Sequence, residues 1–251
     1  MTDEFVSLKL MIVSEDAAER ELIRRGVSDA SIPVDISEVK AARDETTACR
    51  LLAQAEHDVV LFDERMPSGR QHALLEAVRA TPGHPLAVML GQGDAADRCD
   101  ALIAKPIDHP QVSEVIGDCI AVRLPKRVLI VDDSAAVRSV IQKVLNGSRF
   151  RIHADEADGY AVAVEKFKAR RFDVVILDCD MSGKDGFETL AELRKVRGDA
   201  KILMTAETHD TAMEKRARSN GAGDFLTKPF FAKDVDVAFS RLLGLRQIRW
   251  R

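Results

Sequence analysis

Five residues in the second half of the chain have types suited to phosphoryl chemistry: the pair Asp132-Asp133, then Asp178, Thr205 and Lys228. Each closes a short apolar run. If those runs are strands of one parallel sheet, all five residues lie at strand carboxyl ends and meet in one crevice. Three carboxylates gathered there repel and cannot all stay ionised without a compensating cation. Mg2+ suits them, because it takes a few carboxylates and keeps waters for the rest of its octahedron. Lys228 adds a fixed positive charge and Thr205 a hydroxyl donor. The set fits phosphoryl transfer onto an Asp nucleophile, with cations neutralising the equatorial oxygens.

The elements that must hold these residues follow from patterning. Runs 127–131, 150–154, 173–177, 200–204 and 224–226 are short and rich in β-branched or aromatic residues, as buried parallel strands are. Amphipathic stretches lie between them. One starts on Ser134 as N-cap and stops at Asn146-Gly147, and another ends at Asn220-Gly221. Five strands alternating with five helices make a doubly wound open sheet.

The same order of signals occurs earlier in the chain. LMIVSEDAAER (10–20) parallels VLIVDDSAAVR (128–138), HDVVLFDERMPSG (57–69) parallels FDVVILDCDMSGKDG (172–186), and Lys105-Pro106 parallels Lys228-Pro229. Glu15 to Asp63 spans 48 residues and Asp133 to Asp178 spans 45. The chain therefore reads as a tandem duplication: residues 1–121, a short linker at 122–126, and residues 127–251. The first copy is eroded. It keeps Asp63 and Lys105, but Ser14 and Glu15 replace the acid pair and Gly91 stands where Thr205 stands. From Gly91 to Lys105 is 14 residues against 23 from Thr205 to Lys228. The shortfall is about two and a half helical turns, which predicts loss of the fourth helix and an uncovered apolar strand at 86–90. Such a patch marks an interface, so burial against a second protomer, as a homodimer through the N-terminal domain, or against the second domain is an expectation.

These residues identify a resemblance to the receiver domains of two-component response regulators. It covers 127–243 and, in degraded form, 8–120. The MTAE run (204–207) and KPF (228–230) are similar to chemotaxis-type receivers. The resemblance implies two flavodoxin-like α/β domains in tandem, with Asp178 as phosphoacceptor. Mg2+ would be held by Asp133, Asp178 and the main-chain carbonyl of Asp180, with Asp132 acting through water. Thr205 would bind the phosphoryl group, Lys228 would pair with it, and Phe225 would be the aromatic switch. Ser182 departs from the Pro usual after the Met. In the first copy Ser14, Glu15, Asp63, Gly91 and Lys105 form a degenerate site, giving a pseudo-receiver that is not phosphorylated. Its Lys105 and Asp63 form a structural ion pair, and Glu15 with Asp63 retain at most weak metal affinity. The implied partners are a histidine kinase or histidine phosphotransfer protein and a downstream protein target. The chain would catalyse only its own phosphorylation and dephosphorylation.

Composition narrows the function classes. Residues 1–121 hold 12 Lys+Arg against 22 Asp+Glu, net -10, and residues 122–251 hold 25 against 19, net +6. A sequence pI near 5.9 argues against a nucleic-acid partner. The acidic N-terminus is unlike a secretory signal, and no apolar run approaches the roughly 18 residues of a membrane span. Cys49, Cys99, Cys119 and Cys179 are scattered, as in a reduced cytoplasmic protein. Residues 231–243 are consumed by a last helix, so no DNA-binding output is expected, and the basic tail 246–251 is expected to fray. Two other readings stand: a phosphorylation-independent scaffold, and a haloacid-dehalogenase-like phosphatase using Asp178-Cys179-Asp180-Met181-Ser182.

Overall fold

The structure is a computed structural model that describes residues 8–29, 34–39, 45–182, 185–208 and 210–249. Two compact units are present. One comprises 1–123 with 247–251, and the other 124–246.

The first unit runs β1 (Leu8–Val13), α1 (Ala17–Ser28), β2 (Val34–Val39), α2 (Glu45–Gln54), β3 (Val59–Asp63), α3 (Ser68–Ala80), β4 (Leu86–Leu90), β5 (Ala101–Ile103) and α4 (His109–Arg123). The second runs β6 (Lys126–Val131), α5 (Ala135–Asn146), β7 (Ile152–Ala157), α6 (Tyr160–Ala169), β8 (Val174–Asp178), α7 (Gly186–Val196), β9 (Ile202–Ala206), α8 (Thr211–Ser219), β10 (Asp224–Thr227) and α9 (Ala232–Leu243). The sheets are wholly parallel, in the orders β2-β1-β3-β4-β5 and β7-β6-β8-β9-β10. This is the flavodoxin-like α/β order, whose direction reverses beside the first strand of each sheet.

Central strands are buried on both faces, so they read as continuous apolar runs. Every residue of β3, β4, β8 and β9 is buried, and each large apolar side chain so buried is worth about 1.5–3 kcal/mol. Ser134 caps α5 by accepting from the Val137 amide. Two strands begin two residues later than their apolar runs suggest. Phe150 is a loop anchor rather than a strand residue, its ring edge-on to Phe239 at 5.6 Å. Ala200 closes the turn after α7 by donating to the Arg197 carbonyl.

Between β4 and β5 only a single 3-10 turn, Ala96–Arg98, replaces a helix, as the shortened interval requires. The expected bare strand is not there: Leu86, Val88, Met89 and Leu90 are fully buried and Ala87 is 3% exposed. The loop itself covers the sheet. Ala95 and Cys99 are fully buried and belong to the core cluster that holds Met89. The Gln71 side chain pins this loop, donating to the carbonyls of Glu64 (2.8 Å) and Met66 (2.7 Å) and accepting from the Ala95 amide (3.3 Å). The argument for a homodimer through an uncovered strand therefore fails.

Two further differences concern the boundaries. Only Leu124 and Pro125 separate α4 from β6. The tail is tied down as far as it is described, within the first unit: the Gln247 amide donates to Asp118 Oδ2 at 2.8 Å, the Arg249 amide donates to the Asp100 carbonyl at 2.6 Å, and Ile248 is buried. Trp250 and Arg251 lie outside the described residues.

A buried carboxylate braces the second unit. Asp236 on α9 accepts from the Ser148 hydroxyl (2.5 Å) and the Arg149 amide (3.1 Å). Burial pushes its pKa up to about 6 against the pull of these donors. Because the folded value is raised, the stability this group contributes is full below about pH 4 and is lost as pH rises through about 6. Asp236→Asn keeps an acceptor for the amide and has no charge to bury. It should flatten the fall in stability between pH 4 and 8, by up to about 3 kcal/mol. Urea denaturation of parent and variant at both ends of that range reads the difference, and parallel profiles would refute it.

Candidate functional site

Strand register explains why residues far apart in sequence meet. Val131 pairs with Leu177 across β6 and β8, Asp178 with Thr205 across β8 and β9, and Leu226 with Thr205 across β10 and β9. Asp132 follows β6, Asp178 ends β8 and Lys228 follows β10, so all reach the same sheet edge beside the switch point.

Lys228 stands at the centre. Its ammonium donates to Asp132 Oδ2 at 2.8 Å and Asp178 Oδ1 at 2.9 Å, with Glu207 Oε1 at 3.5 Å. Asp132 and Asp178 are buried, and one cation serves both. Burial pushes the Asp178 carboxyl above the usual carboxylate range while Lys228 pulls it back down. Burial lowers and the two carboxylates raise the Lys228 pKa, with a net rise. Asp132 is oriented by the Ser134 amide on Oδ1 (2.9 Å). Asp133 and Asp180 are exposed at the rim. Asp133 Oδ2 accepts from the Ser182 amide at 2.7 Å, which with the Ser182 side chain lowers its pKa. Ser182 in place of Pro thus supplies an N–H that positions this acid.

Thr205 is fully buried, and its hydroxyl has no hydrogen-bond partner among the described residues. A buried unsatisfied hydroxyl costs about 1–3 kcal/mol, so this atom is poised for an acceptor arriving beside Asp178. The set also suits Mg2+ in donor type: oxygen donors only, with more negative charge than Lys228 neutralises. It is not closed around a point, since no trio of His, Cys, Asp or Glu already frames a metal among the described residues. Phe225 is buried in the core cluster with Met204, Ala206 and Ala217. Cys179 is buried, and burial followed by the neighbouring acids pushes its thiol up to about 12, which suits a passive thiol rather than a redox sensor.

Gly186 opens α7 against Asp178. A Cβ there would overlap the Asp178 carbonyl oxygen and lie 2.8 Å from Cys179 Cα. Gly186→Ala should therefore cost about 1–3 kcal/mol as backbone is forced apart, read by chemical denaturation. A variant as stable as the parent would show that the loop yields freely.

The eroded site differs in kind. Asp63 is fully buried and accepts from Lys105 Nζ on Oδ1 at 2.9 Å, the expected ion pair. Sequence reading missed Arg65, which donates to the same carboxylate from Nε (2.9 Å), Nη2 (2.5 Å) and its amide (2.9 Å). Ser14 Oγ donates to Glu19 Oε2 at 3.1 Å and lies 3.3 Å from Asp63 Oδ2, while Glu15 is exposed. Gly91 does not stand where Thr205 stands: register pairs Asp63 with Leu90 as it pairs Asp178 with Thr205, so Leu90 takes the threonine's place, and Gly91 follows it with φ +104, where a Cβ would overlap the Glu64 carboxylate. The readable signal was a sign inversion: Arg65 occupies the place that Asp180 holds in the second copy.

Comparison with known proteins agrees with this geometry. A family model described as "Response regulator receiver domain" matches residues 128–239. The chemotaxis protein CheY of Bacillus subtilis (strain 168) is 38% identical over 118 residues, covering 47% of this chain and 98% of that protein. CheY of Thermotoga maritima is 34% identical over 117 residues, covering 47% and 97%. A solved structure titled "probable two-component system response regulator/GGDEF domain protein" is similar in fold, with a TM-score of 0.56 at 21% identity, over 94% of this chain and 98% of that one. Among the described residues no helix is long and apolar enough to cross a membrane.

Proposed function

The chain belongs to the response regulator receiver family, and from that premise we propose that Asp178 accepts a phosphoryl group from a histidine kinase or phosphotransfer protein. The observation that carries this reading is the orphaned Thr205 hydroxyl, buried beside a carboxylate and an ammonium. An Asp178 oxygen forms the new bond to phosphorus as the donor's P–N bond breaks, and the electron pair returns to the donor imidazole. Lys228 holds the acceptor oxygen and then a phosphoryl oxygen, and Thr205 donates to another. Asp133, Asp178 and the main-chain carbonyl of Asp180 would hold Mg2+, with Asp132 acting through water, and the ion would supply charge neutralisation there.

The donor's approach has a surface to suit it. An apolar groove of about 310 Å3 runs along Val137, Val140 and Val144 of α5 to Pro229 and Phe230, and opens on Lys228. Val140 is 58% exposed there. A helix carrying the phosphorylated histidine, seated in this groove, brings its phosphorus to the Asp178 mouth.

Phosphorylation draws Thr205 towards the new oxygen and frees space for Phe225, so the α8–β10–α9 face changes and a downstream protein reads it. The protein acts as a cytoplasmic switch that catalyses only its own phosphorylation and dephosphorylation, with the first unit serving assembly or regulation. Incubation with acetyl phosphate and Mg2+ tests the reading. One base-labile phosphate by intact mass is expected, and none would favour a phosphorylation-independent scaffold.

A further inference from the structure

We propose that the first unit is a self-occupied receiver: Arg65 takes the place of the divalent cation, so Asp63 takes neither metal nor phosphate.

Asp63 has no acceptor capacity left. A carboxylate offers about four lone-pair sites. Asp63 receives Nε, Nη2 and the amide of Arg65 and Nζ of Lys105, all within 2.9 Å. An oxygen so engaged has nothing to offer a metal ion or an incoming phosphorus. The two cations are themselves held. Arg65 Nη2 reaches Glu19 Oε2 at 3.0 Å and Asp16 Oδ2 at 3.6 Å, and Lys105 Nζ reaches Glu19 Oε1 at 2.7 Å. Asp16, Glu19 and Asp63 are thus met by two positive charges, where among the described residues Lys228 is the cation paired with Asp132 and Asp178. The second positive charge, which the second unit must import, is built into the first. Burial raises the Asp63 pKa, but the Arg65 and Lys105 contacts outweigh it and hold the group well below the carboxylate range.

The hydroxyl is absent as well. Register pairs Asp63 with Leu90 as it pairs Asp178 with Thr205, so a buried apolar side chain stands in the place of the threonine. The Glu64 carboxylate is held one residue further on, in the space Gly91 leaves, where it accepts from the Gln92 amide at 2.6 Å. No hydroxyl remains for a phosphoryl group to move. The first unit is a fixed surface, insensitive to phosphodonor and to Mg2+.

The test uses the full chain carrying Asp178→Asn, so that labelling of the second unit does not enter. Hydrogen exchange of peptides spanning 59–67 is followed with and without millimolar Mg2+, alongside intact mass after acetyl phosphate. With Arg65 present, exchange is expected to be indifferent to Mg2+ and no phosphate is expected. Arg65→Ala should speed exchange of these peptides by at least about fivefold, and Mg2+ should restore most of the protection as it replaces the lost cation. Mg2+ protection while Arg65 is in place, phosphate on Asp63, or an Arg65→Ala effect that Mg2+ does not reverse would each overturn the proposal. If Arg65→Ala does not fold, Arg65→Gln and the parent measurements decide. These readouts are local to the first unit, so failure here is distinct from failure of Asp178 to take phosphate.

Discussion

Asp178→Asn is expected to abolish phosphorylation altogether, leaving the intact mass unchanged after acetyl phosphate and Mg2+ where the parent gains one phosphate. The amide is isosteric and can still accept from the Lys228 ammonium, now 2.9 Å from Asp178 Oδ1. It lacks the anionic oxygen that must attack phosphorus. The fold should not suffer, because burial opposes the charge that the substitution removes. A variant at least as stable as its parent, and wholly unlabelled, separates loss of chemistry from loss of structure. Residual base-labile phosphate would mean a second acceptor, contradicting both the role of Asp178 and the saturation of Asp63.

Lys228→Ala should have the largest effect on stability. The ammonium is the shared partner of Asp132 and Asp178, whose side chains are 2% and 7% exposed. Removing one member of a buried ionic set strands the others, and a cost of about 3 kcal/mol is expected. Millimolar Mg2+ should recover much of it, since a divalent ion can neutralise the carboxylates that lost their lysine. Denaturation of the variant with Mg2+ and with EDTA measures both effects. Equal curves would show that the acids do not form a cation site. Phosphorylation should also fall sharply even when Mg2+ restores the fold, because no positive charge then meets the phosphoryl oxygen opposite Thr205.

The second unit's site was legible because parallel strands convert sequence order into spatial convergence. Asp132, Asp178, Thr205 and Lys228 each end an apolar run, and strand register brings those ends together whatever lies between. Composition and spacing could also expose the missing helix, since a shortfall from Gly91 to Lys105 leaves too few residues for one. What filled the gap was not legible. Ala95 and Cys99 are small, and their burial depends on Gln71 reaching across from α3 with three hydrogen bonds. Arg65 escaped for a related reason. A matched pair of motifs draws attention to what both copies keep, whereas its chemistry lies in a reversal of sign. Phe150 misled in the opposite direction, because an aromatic at the head of an apolar run looks like strand whether it pairs or anchors a loop.

The tail has a topological consequence. Residues 247–251 belong to the unit that begins the chain, although they follow the last helix of the other. The second unit is thus inserted in the chain between two segments of the first. A fragment ending at Arg123 would be an incomplete first unit, deprived of the Gln247 and Arg249 amides and of the buried Ile248.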